Sequence, residues 1–316
     1  MNELLHSAIT GGSRKTYQRA WTTYVDFSSE FCESHASLLP VSVNNLALFI
    51  SYLSARKFAS STISTYVSAL SYVHKLANFP DPTKNFLVQK ILAAHSKLYS
   101  APDVRLPITR GVLQRLVLAL NHTNSSAYQS LLFQTMFLVA FYGFFRVGEL
   151  TAKGANLKPL VQIQNLHFQF KDNCVTAATI VIADYKHNSS RRPFSVVLDC
   201  AMGTDFCPVN SLQRYCSMRG TTPGALFCFA DGSPVKTSHF TQQLRQALTF
   251  CGLDSSKYKS HSFQIGAASS AADNGLSDAQ IRHLGRWKSD AYTFVNQLPK
   301  GFIFKLAFQS GAGAIV

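Results

Sequence analysis

The stretch Phe141-Tyr142-Gly143-Phe144-Phe145-Arg146-Val147-Gly148-Glu149-Leu150 closes a long apolar segment and sets one arginine three residues ahead of a glutamate. Before it, residues 109–120 and 126–142 read as helices. After it, 161–170 and 174–182 are strand-like runs, and a third run at 194–198 follows the turn Asn188-Ser189-Ser190. Helices return at 209–216, 238–251, 263–274, 278–284 and 290–297. By itself, an arginine at a helix end with a glutamate three residues on is an ordinary ion pair.

Upstream, Tyr17, Trp21, Tyr24, Val25 and Phe27 recur at three- and four-residue spacing, which predicts an amphipathic helix beginning near Ser13. Val43, Leu46, Ala47, Phe49, Ile50 and Leu53 make a second stripe ending near Lys57. Ser60-Ser61-Thr62 is placed to cap a third helix through Ile63, Tyr66, Val67, Leu70 and Val73. Pro80 and Pro82 then break the chain before a fourth at 86–98. Residues 100–107 hold two prolines among polar residues and are the expected linker. The expectation is a helical domain over 1–99, a linker over 100–107 and a second domain over 108–316, mainly α with a small β insert.

The 316 residues carry a formal net charge of +14, unevenly spread. Residues 1–104 hold 9 Lys/Arg against 6 Asp/Glu, whereas 105–316 hold 21 against 10. Such an excess favours a polyanion, because cationic side chains that neutralise phosphates release condensed counterions. At 47% hydrophobic and 15% charged, the composition excludes an unfolded chain. Seven cysteines lack any CxxC pair or zinc-type spacing and are expected to be reduced and mostly buried. No apolar run is long enough to span a bilayer, so the expected location is intracellular, with no membrane partner.

A second stretch, His261-Ser262-Phe263-Gln264-Ile265-Gly266-Ala267-Ala268, is followed by Gly275-Leu276-Ser277 and Leu284-Gly285-Arg286-Trp287. With the 141–150 stretch and the connecting Cys207-Pro208-Val209 and Gly224-Ala225-Leu226-Phe227, this order resembles the tyrosine recombinases and phage-type integrases. The wording is most similar to recombinases of eukaryotic mobile elements. The resemblance implies a helical core-binding (SAM-like) domain joined to a mixed α/β catalytic-type domain, clamped around duplex DNA. It also implies DNA recombination and integration without a metal or nucleotide cofactor, and a nuclear location if the source is eukaryotic.

In that family a tyrosine hydroxyl attacks a DNA phosphate, and fixed donors surround the phosphate as its charge builds up. By resemblance Arg146 supplies one guanidinium fork. Lys186, between the second and third strand runs, matches a hairpin lysine that protonates the leaving 5′ oxygen; a solvated loop lysine is the other reading. His261 and Trp287 match positions that support the phosphate through ring N–H groups, although each is also a common structural residue. Two positions depart from the pattern. Gln264 stands where the second arginine is expected, and Val295 stands where the nucleophilic tyrosine is expected. Valine has no hydroxyl, so the covalent route is lost there. Tyr292 lies three residues earlier, about one helical turn or 4 to 5 Å along the axis, which is far outside the tolerance of an aligned attack. The expectation is a DNA-binding protein of recombinase descent with lost or weakened cleavage. The alternatives are an active recombinase using Tyr292 or another protomer's tyrosine, and a host regulatory module on the same fold. Phe302, Ile303, Phe304, Leu306, Ala307 and Phe308 make an apolar run near the end of the chain, so residues 301–316 are the expected contact for a homo-oligomer on DNA.

Overall fold

The structure is a computed structural model that describes residues 8–32, 38–99, 105–152, 160–183, 185, 188, 192–200 and 204–287. The chain divides into two compact units, Met1–Asp103 and Val104–Val316. Each has its own hydrophobic core.

Among the described residues the first unit has four α-helices: α1 (Gly11–Phe31), α2 (Val43–Ala55), α3 (Ser60–Leu76) and α4 (Phe86–Tyr99). Thr10 and Ser42 cap α1 and α2 by accepting from the backbone N–H of Ser13 and Asn45. The apolar stripes read from sequence meet in one core of Tyr24, Phe27, Leu46, Phe49, Ile50, Leu53, Ile63 and Leu70. Tyr24 meets Phe49 edge-on with ring centroids 5.2 Å apart. Helix α3 begins differently from expectation. Ala59 is its cap and makes no side-chain bond. The Ser60 hydroxyl instead lies 2.9 Å from Nδ1 of His95 on α4, so a contact between helices takes the group that could have capped. His74 is fully buried, and its Nε2 accepts the Val41 N–H at 2.9 Å while Nδ1 lies 2.7 Å from the Leu70 carbonyl. Those two contacts fix the tautomer, with the proton on Nδ1.

The second unit is built around α6 (Ala127–Tyr142), which follows α5 (Arg110–Thr123). Leu131, Leu132, Phe133, Met136, Phe137, Leu138, Val139, Ala140 and Phe141 are all buried, so α6 is a central helix with no solvent stripe. Around it pack α5, α8 (Pro208–Arg219) and α10 (His261–Asp273), with α9 (Thr237–Phe250) against α5. A single turn, α7 (Val147–Leu150), follows α6, and α11 (Asp278–Gly285) follows α10. The antiparallel sheet runs β1 (Leu166–Lys171), β2 (Cys174–Ile182) and β3 (Phe194–Asp199) in that order, with Ile180 opposite Leu166 and Val196. Ile180 and Ile182 turn inward, and β2 and β3 pack on α8.

The first strand starts five residues later than the run beginning at Val161 suggests. Ile163–Asn165 is a 3-10 turn, closed by the Asn165 side chain accepting from the Gln162 N–H at 2.9 Å. Leu106 and Ile108 donate backbone N–H bonds to the carbonyls of Lys257 and Ser262. That close approach needs Gly266, where a Cβ would collide with the Ile108 carbonyl. The packing therefore locks the start of α10 against the segment around Ile108 that enters this unit.

Candidate functional site

Helix α6 ends at Gly143, and Phe144 takes a left-handed conformation with φ 52°. This turn drives Phe145 into the core and leaves Arg146 as the cap of α7. Glu149, buried one turn later, sends Oε2 back to the Arg146 backbone N–H at 2.9 Å and Oε1 to the Arg146 guanidinium at 3.1 Å. The second guanidinium nitrogen of Arg146 donates to the carbonyls of Gly285 and Arg286, at 3.4 and 3.3 Å. The helix-end ion pair is therefore real, and the far end of α11 adds to it.

From the other side, α10 begins at His261, which is exposed, and carries the buried Gln264 one turn on. His261 Nδ1 lies 3.4 Å from Gln264 Oε1, and Gln264 Nε2 donates to the Phe144 carbonyl at 3.2 Å. Arg286 donates to the same carbonyl at 3.0 Å and to Glu149 Oε2 at 2.8 Å. A continuous polar chain thus runs from His261 through Gln264, the Phe144 carbonyl, Arg286 and Glu149 to Arg146. Trp287 closes the edge, its ring 6.3 Å from that of Phe144 and folded over Gly285, where a Cβ would strike the indole.

The member of this chain without an assigned role in the sequence reading is Arg286. Its backbone is left-handed at φ 54°, and its side chain is only 1% exposed. The guanidinium lies between the rings of Phe145 and Phe194, 5.3 and 5.5 Å from their centroids. Burial lowers its pKa from the ordinary arginine value; Glu149 opposes that shift and neighbouring Arg146 adds to it. Its position directly before Trp287 was the available signal, but nothing in the spacing shows that its side chain turns inward to Glu149.

Arg146, His261, Gln264 and Trp287 are brought together in this one region. Lys186, Tyr292 and Val295 lie outside the described residues, as does the 301–316 segment. Among the described residues no group of three or more His, Cys, Asp or Glu could hold a metal ion. No helix among them is long and apolar enough to cross a membrane.

No family model matches the chain. Over 95% of its length it is 22% identical to an integrase/recombinase XerD homolog from Selenomonas ruminantium, covering 85% of that protein. Among solved structures it is similar to the XerH site-specific recombinase in its post-cleavage complex with palindromic difH, with a TM-score of 0.63 and 14% identity. That match covers 89% of this chain and 74% of the other. A lambda integrase dimer bound to a COC' core site matches with a TM-score of 0.60 and 14% identity, covering 98% and 78% of the two chains. The Tn1549 transposon integrase with transposon right-end DNA matches with a TM-score of 0.61 and 11% identity, covering 93% and 91%. The fold is that of the tyrosine recombinases and integrases, mostly helical with a small three-stranded sheet. The near full-length likeness to the XerD homolog agrees with that fold.

Proposed function

We propose that this protein binds duplex DNA through a recombinase-type phosphate site whose strand-cleavage chemistry is lost or severely weakened. The observation that carries this reading is the composition of the polar chain. Arg146 keeps its guanidinium partly open, with its side chain 16% exposed, while the residue that joins the same polar chain from α10 is the uncharged Gln264. A guanidinium fork at Arg146 and a ring N–H at His261 suit a phosphate. A glutamine amide supplies one hydrogen bond without charge, and losing one preorganised donor typically costs about 10²- to 10³-fold in rate. With Val295 at the nucleophile position, binding survives and the covalent step does not.

The support from relatives is that XerH, lambda integrase and the Tn1549 integrase are each described on DNA. In this reading residues 1–99 are the core-binding domain and 108–316 the catalytic-type domain, with Lys186 the hairpin lysine and Trp287 the supporting indole. Descent from a mobile element fits the Tn1549 likeness; the protein is then intracellular, and nuclear if its source is eukaryotic. Binding to a duplex should weaken steeply between about 50 and 200 mM salt, as expected when several Lys and Arg displace counterions. A suicide duplex should yield no covalent adduct on a denaturing gel, and the paired reversion Gln264→Arg with Val295→Tyr should yield some. A flat salt response overturns the DNA reading. An adduct from the unreverted chain, abolished by Tyr292→Phe, establishes the active-enzyme alternative in its place.

A further inference from the structure

The buried cluster at the candidate site contains two guanidinium groups and one carboxylate, so it carries one net positive charge. Glu149 is the only acidic side chain bonded to either arginine among the described residues. Its two oxygens are divided between them, Oε1 to Arg146 at 3.1 Å and Oε2 to Arg286 at 2.8 Å. The two arginines differ in access. Arg286, with its side chain 1% exposed and its guanidinium between the Phe145 and Phe194 rings, cannot reach an outside phosphate, whereas Arg146 at 16% has an open edge. In a low-dielectric site, Glu149 alone would cancel the charge of Arg146 at close range.

We propose that Arg286 is a positioning residue that takes up the charge of Glu149 from the protein interior, leaving Arg146 net cationic towards a DNA phosphate. The inference rests on the DNA-binding reading above. It gives the second positive charge of the site a different origin from the α10 position, where Gln264 now stands. Gln264 and Arg286 donate to the same Phe144 carbonyl, so the two side chains converge on one oxygen, and the charge comes from only one of them. Arg286 also contributes geometry, because its own carbonyl and that of Gly285 receive Arg146 Nη2.

Charge can be separated from packing by changing the two buried partners singly and together. Arg286→Met keeps much of the side-chain volume and brings the cluster to zero. Glu149→Gln with Arg286→Met removes both charges and returns it to +1, a type of exchange that buried pairs often tolerate. Arg286→Lys keeps the charge and loses the fork. Measured on the full chain with one duplex across a salt series, Arg286→Met should bind about tenfold more weakly, with a salt slope lower by about 1. The double variant and Arg286→Lys should both lie within about threefold of the parent. A merely structural arginine gives another pattern: the double variant, folded by far-UV circular dichroism, stays as weak as Arg286→Met, or Arg286→Met binds like the parent. Either result overturns the proposal. If Arg286→Met does not fold, the two +1 variants decide, and tenfold weaker binding by either folded variant is the overturning result. A parent protein whose binding ignores salt would instead sink the DNA reading, before any variant is compared.

Discussion

At the scale of single residues, Asp81 shows how hydrogen bonds outweigh burial. Burial pushes its carboxyl up, but donors at Ser71 Oγ, Thr83 Oγ1, the Thr83 backbone N–H and Lys75 pull it down from 3.8 to about 2. A depressed carboxyl adds stability that is present above its unfolded value and disappears as pH falls through about 2. Asp81→Asn should therefore lower the stability of the first unit at neutral pH and flatten its acid limb between roughly pH 4 and pH 2. Trp21 fluorescence in a Trp287→Phe background reports that unit alone, since the chain has 2 tryptophans; an unchanged acid limb in Asp81→Asn counts against the assignment. The cysteines give a second test. Burial, opposed by Arg219, raises the Cys216 thiol from 9.0 to about 11, while Cys174 is exposed. Two pH units mean about 100-fold less thiolate at pH 8. Alkylation mapped by peptide mass should reach Cys174 first and Cys216, Cys207 and Cys228 last. The stability that Cys216 contributes through this shift is present below pH 9 and is lost as pH rises through about 11.

At the scale of elements, the contact between α10 and the segment at Ile108 is set by one missing side chain. Gly266→Ala gains about 1 kcal/mol of helix propensity. It also forces a methyl group against the Ile108 backbone carbonyl, which has no rotamer to escape into. Overpacking of this kind costs about 1 to 3 kcal/mol, or more against backbone, so the net effect should be a loss. For a unit of this size, a net loss of 1 kcal/mol lowers Tm by about 2 to 4 °C. A Tm equal to or above the parent's would show that the segment at Ile108 can retreat. Because α10 also carries His261 and Gln264, the same substitution should weaken DNA binding even where the unit stays folded.

At the scale of the whole molecule, the excess of 21 Lys/Arg over 10 Asp/Glu in residues 105–316 is the electrostatic ground for the proposed DNA binding. Assembly belongs to this scale too. We propose that the apolar run at 302–308 links protomers of this chain, which would be a monomer in solution and a dimer or larger on DNA. Deleting 301–316 should abolish the slower-migrating complex in a gel shift while leaving one-protomer binding and the far-UV spectrum intact. If the deletion unfolds the second unit, the run belongs to that unit's own core.

Local physics was legible in the chain before any packing was known. The apolar stripes of α1 and α2 place Tyr24, Phe27, Leu46 and Phe49 in the core, because period 3.6 fixes which residues share a face. The ordered stretches at 141–150 and 261–287 place Arg146, His261, Gln264 and Trp287 in one region, as the resemblance implies. What the tertiary structure decided are the bonds between partners far apart in sequence. The Ser60 hydroxyl pairs with His95 Nδ1, 35 residues away, and does not cap its own helix. Arg286 turns inward to Glu149, 137 residues away, because the left-handed end of α11 and the Phe145 and Phe194 rings leave its guanidinium no route to water. Periodicity governs which face a side chain occupies, but the partner of a buried charge depends on which distant groups the completed core brings within about 3 Å.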